Sequence, residues 1–155
     1  MCRRPEYERG STLLLFPAAL LIMVALAAMT VDSAIAFMAQ RELMNATAAA
    51  ANDAATEALS DRSFYEDNRI ELSAAAVEAI AVDRVFALVD SARHHGLTVT
   101  AEAVPPGGSG CAWTVRVVAS STVDELFGKA MPGSSGTVGV SARSSASPRQ
   151  STSAC

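Results

Sequence analysis

The residues in this chain that could do chemistry are few: the adjacent pair His94-His95, cysteines at positions 2, 111 and 155, scattered serines, and Asp32 at the end of an apolar run. Neighbouring helical residues point about 100° apart, so His94 and His95 do not share a metal, and no third ligand is spaced to join them. They read as solvated residues at a helix end. No serine stands in a nucleophile-elbow pattern, and neither histidine is tied by spacing to a serine and a carboxylate. Gly107-Gly108-Ser109-Gly110 lacks the lysine and flanking helix of a phosphate-cradling loop. Three cysteines are too few and too scattered for a disulfide scaffold or a zinc cluster. The residue types therefore point to a protein that is not an enzyme, with no metal site and no cofactor.

The elements that would position these residues begin with a membrane segment. The chain has 155 residues, 50% hydrophobic but only 5% aromatic, an imbalance that reflects alanine and an uneven distribution of apolar residues. Its formal net charge of −4 offers no concentrated basic face, which argues against nucleic acid as a partner. From Thr12 to Val31 there are twenty uncharged residues, as a helix roughly 30 Å long, the thickness of a bilayer hydrocarbon core. Pro17 near the start of that run need not break it. Arg3, Arg4 and Arg9 precede the run and the next basic residue is Arg41, an asymmetry that places the N-terminus in the cytoplasm and the remainder outside a plasma membrane crossed once. A competing reading is a secreted binding module released by a signal cleaved after Ala36, at Ala34-Ile35-Ala36. Asp32 at the membrane rim either anchors a helix contact or lies as an interfacial carboxylate in water.

Past Asp32 the sequence is rich in helix formers and free of glycine and proline, predicting one long helix from about Leu13 to Leu59. Ala46, Ala50, Ala54 and Ala58 recur every fourth residue, a small-residue stripe suited to a partner helix or to this chain's own head. Gln40, Arg41, Glu42, Asn52, Asp53 and Glu57 supply wet positions around it. After a polar break, Asn68 and Glu71 resemble a capping box for a second helix. That helix carries Val77, Ile80, Ala81, Val85, Leu88 and Ala92 on one stripe and ends at His94-His95-Gly96. Alternation predicts strands over Leu97–Val104, Ala112–Ala119 and Thr137–Ala142, with a flexible turn at Pro105–Gly110 and a helical turn over Asp124–Met131. Trp113 fills the core between sheet and helix. The fold class is α+β. The parts are a basic leader (1–10), the membrane helix (11–32), an alanine-rich stem (33–60), a head of one helix and a short antiparallel sheet (61–143), and a mobile Ser-rich tail (144–155). Cys111 and Cys155 fall on the oxidising side, either joined, with roughly 3–4 kcal/mol from loop closure, or left as free thiols.

Arg9-Gly10 before the span, Pro17 within it, Val31-Asp32 at its exit, and Arg41-Glu42-Leu43 running into Asn45-Ala46 and the alanine tract together form a pattern. It resembles the N-terminal segment of TadE/TadG-like proteins of tight-adherence (Flp) pilus-assembly systems, in the form common in actinobacteria. The resemblance covers about residues 9–59, and extends more loosely through Gly96–Thr100, the Trp113 strand, Leu126-Phe127 and Met131-Pro132-Gly133. It implies a pilin-like head and a membrane-anchored minor pseudopilin or assembly factor at the cell surface. Its partners would be other pilin-like proteins and a secretion platform with its ATPase. A prepilin peptidase would cut between Gly10 and Ser11. The pattern departs from that of pilins at the fifth residue after this bond, where Leu15 replaces the usual glutamate. An accessory subunit outside pili would have the same architecture.

Overall fold

The computed structural model describes residues 11–59, 71–107, 112–130 and 133–148. The architecture is α+β: helix α1 (Ser11–Glu57), helix α2 (Ala74–Leu88), and strands β1 (His95–Val104), β2 (Thr114–Asp124) and β3 (Thr137–Ala146), with a 3-10 turn at Gly128–Ala130 between the last two. The sheet has the order β1-β2-β3 and is antiparallel throughout. With 47 residues, α1 extends about 70 Å. Pro17 lies one turn deeper than a first-turn proline, and the helix runs on past it.

One face of the sheet packs on α1, and α2 packs beside them. Strand β2, central in the sheet, alternates strictly, with Val115, Val117, Ala119, Ser121 and Val123 pointing into the core. From α1 come Ala39, Leu43, Ala46, Ala50, Ala51, Ala54 and Ala55, and just past its end Ala58, all buried. From α2 come Val77, Ala81 and Val85. Small side chains on α1 let the backbones of α2 and the sheet approach closely, so the alanine stripe is occupied by this chain's own head. Arg84 on α2 reaches Asp53 at 3.0 Å and Glu57 at 3.5 Å on α1, tying the two helices at their solvent edge.

The elements differ from the sequence expectations mainly at their ends. Helix α2 starts at Ala74 with Ser73 as its cap, its side chain accepting from the Ala76 amide; Asn68 lies outside the described residues. It ends at Leu88, well before His94, and Leu88 and Ala92 are exposed rather than on the buried stripe. A turn closed by Arg93 and His94 amides on the Asp90 carbonyl then feeds β1, with Gly96 in the left-handed region at φ 61°. Strand β2 continues to Asp124, and β3 continues to Ala146, so Ser144 and its neighbours belong to the sheet and not to a tail. Pairing along β2 supplies the reason: Val115 to Val117 need partners, and Ser144 to Ala146 provide them. Trp113 packs half-buried at the margin of the core.

Candidate functional site

Helix α1 changes character at Asp32. Before it, Leu15 to Val31 are exposed apart from a half-buried Ala28, and include Phe16 at 74% and Met23 at 72% exposure. This is the one helix among the described residues long and apolar enough to cross a membrane, with a mean hydropathy of 2.2 in its apolar window. The hydroxyls at the end of this stretch are internally satisfied: Thr30 donates to the Leu26 carbonyl at 2.8 Å and Ser33 to Met29 at 2.7 Å. Back-bonding of this kind leaves no orphan polar group in an apolar surrounding.

Asp32 itself is 8% exposed. Its Oδ1 accepts from the Leu126 amide at 2.9 Å and the Phe127 amide at 3.1 Å, and Oδ2 lies 3.2 Å from the Phe127 nitrogen. Of the two sequence readings, a helix contact and a carboxylate in open water, the geometry has neither: the carboxylate is buried and anchored. The contact is with the β2–β3 turn of the same chain rather than with another helix. Backbone donors satisfy a carboxylate that would otherwise be costly to take out of water. Gly136 closes the turn at φ 69° by accepting the Glu125 amide at 3.0 Å, in a conformation a side chain would strain.

A second cluster lies two to three turns further along α1. His94 is buried, with Nδ1 2.8 Å from the Ser121 hydroxyl and Nε2 3.7 Å from Glu42 Oε2, which leaves Nε2 without a hydrogen bond. Solvation at a helix end is therefore the wrong description of His94; His95 is solvated, but as the first residue of β1 rather than at a helix end, and lies 3.8 Å from Asp124. Glu42, expected only as a wet position, accepts from the Asp90 amide at 2.9 Å and from Arg93 Nη1 at 2.6 Å, fastening the α2–β1 turn to α1. Gln40 donates to the Ser141 carbonyl at 2.7 Å, and Thr47 meets Ser144 at 3.1 Å, fastening β3 in the same way. Among the described residues no group of three or more His, Cys, Asp or Glu is placed to hold a metal ion.

The face of α1 turned away from the head carries Phe37, Met38 and Met44, exposed at 67%, 65% and 53%. The free apolar surface of the stem is thus this face, and not the alanine stripe at Ala46, Ala50, Ala54 and Ala58. A cut after Ala36 would fall inside continuous α1 and remove Asp32 from the β2–β3 turn. Gly10, Cys111 and Cys155 lie outside the described residues, so the cleavage and disulfide expectations do too; Ser11 is the first residue of α1. No family model, curated protein or solved structure matches the chain.

Proposed function

We propose that the protein is a single-span membrane protein, N-terminus in the cytoplasm and head outside, acting as a minor pseudopilin or assembly factor of a Tad/Flp-like pilus or a related secretion apparatus. The observation that carries this reading is the reversal of packing along α1. Large apolar side chains from Leu15 to Val31 stand exposed among the described residues, whereas Ala39, Leu43 and the buried alanines from Ala46 to Ala58 join α2 and the sheet in the core of the head. Lipid is the solvent that a helix apolar all round and uncovered by protein calls for. The three arginines before the apolar run support the orientation.

Mechanism in this reading is anchoring and presentation. The span holds the chain by apolar burial, Asp32, Gln40, Glu42 and Thr47 fix the head on the emerging helix, and Phe37, Met38 and Met44 offer the surface for a helix of another pilin-like subunit. Membrane fractionation with alkaline extraction and protease protection tests the anchor. An alkali-resistant chain, with its C-terminal end digested from outside and its N-terminal end protected, is expected. Full-length protein in the soluble cytosolic fraction would overturn it. A photocrosslinker replacing Met44 in the native host tests the assembly role: adducts with pilin-like or secretion-platform proteins support it, and a chain that crosslinks to neither removes that part of the reading. Mass spectrometry of the native N-terminus tests processing at Gly10-Ser11, and an intact Met1 rejects it.

A further inference from the structure

Asp32 is the first residue after the uncharged run, and it accepts hydrogen bonds from the backbone of Leu126 and Phe127. Those two residues are therefore held at the level where α1 would leave the hydrocarbon. Their side chains point away from the core, Leu126 at 66% and Phe127 at 45% exposure. Two large exposed apolar side chains where β2 leaves the sheet, beside a membrane exit, have the layout of an interfacial anchor.

We propose that the β2–β3 turn is a second membrane contact, with Leu126 and Phe127 inserted into the outer leaflet beside the span and Asp32 setting their depth. The inference rests on the reading of α1 as the anchor. Lipid is the occupant because the residue that holds the patch ends the exposed apolar run of α1: Asp32, whose carboxylate holds the turn, directly follows Val31, itself 40% exposed. The opposite end of the sheet provides the contrast. There the described residues of the β1–β2 connection are exposed Pro105, Pro106 and Gly107, with Ala112 and Trp113 half-buried and the Trp113 ring packed against the core. Among the described residues, exposed large apolar side chains thus stand on the turn that faces the membrane and not on the connection that faces away. Insertion of a turn tip about 5–10 Å into the boundary between headgroups and acyl chains adds buried apolar area. With a transmembrane helix on one side and a wedged turn on the other, the head has two points of attachment and a fixed face toward the lipid.

Fluorescence of the full-length chain reconstituted in vesicles of phosphatidylcholine and phosphatidylglycerol tests this. In a Trp113→Phe background, Phe127→Trp places the sole indole on the turn. Blue-shifted emission is expected, quenched several-fold by lipids brominated near the headgroup end of the acyl chain and less by lipids brominated near the methyl end. As a second measurement that leaves Trp113 in place, a benzoylphenylalanine replacing Phe127 is expected to give covalent lipid adducts on illumination. Unquenched, water-like emission from a chain that resists alkaline extraction would overturn the second contact and leave the anchor standing. Adducts only to protein would also overturn it, by showing that another chain covers the turn. Extraction of the chain itself by alkali would remove the anchor, and this inference with it.

Discussion

The two halves of α1 are parts of one unbroken helix with opposite packing rules. From Leu15 to Val31, leucine, phenylalanine, isoleucine and methionine are exposed; from Ala39 to Ala55, alanine predominates and is buried or half-buried. The larger, greasier residues lie outside and the smaller ones inside, the reverse of what burial by hydrophobicity alone gives in a globular protein. Side-chain size separates the two cases. A helix surrounded by fluid hydrocarbon gains from every methylene it exposes, while a helix packed on a sheet and a second helix needs room for backbones to approach. Apolar content says that a segment avoids water, and residue size says what replaces the water.

Substitutions in the two halves should break or sharpen this contrast. The largest effect belongs to Leu43→Ala, which empties a fully buried site in the head and should cost about 2–5 kcal/mol of unfolding free energy. The same change at exposed Leu21 should leave head stability within about 0.5 kcal/mol; thermal or denaturant unfolding in detergent compares them. Next comes Val24→Arg, which should cost about 2.5–3.5 kcal/mol of insertion and lower the alkali-resistant fraction without altering head packing. Ala50→Leu overfills the close contact under α2 and the sheet, for about 1–3 kcal/mol of destabilisation, and should leave the membrane-bound fraction unchanged. An equal loss of stability from Ala25→Leu in the exposed half would refute the contrast. Smallest is Arg84→Ala: its ion pairs with Asp53 and Glu57 join solvent-exposed groups, and surface pairs of this kind contribute below about 1 kcal/mol.

What could be read from the sequence was whatever depends on neighbours a few residues away. The uncharged run, the helix formers that follow it, and the alternation of β1 and β2 are local patterns, and the helix and three strands lie close to where those patterns put them. What escaped depended on distant partners. Asp32 meets Leu126 and Phe127 across 94 and 95 positions, and Thr47 meets Ser144 across 97. Nothing beside His94 announces that Ser121 and Glu42 will enclose it. The small polar residues Ser144 and Ser145 looked like tail because their strand character comes from the hydrogen bonds of β2 opposite them. The alanine spacing carried the information that something packs closely there, but not whether the neighbour was a second molecule or the chain's own α2 and sheet.

Because α1 passes without interruption from the apolar run into the middle of the head, there is no swivel between the two. A tilt or rotation of its first half carries the sheet with it, since Gln40 and Thr47 fasten β3, and Glu42 the turn that leads into β1, to the shaft. The orientation of the sheet thereby becomes a readout of what happens to the rod.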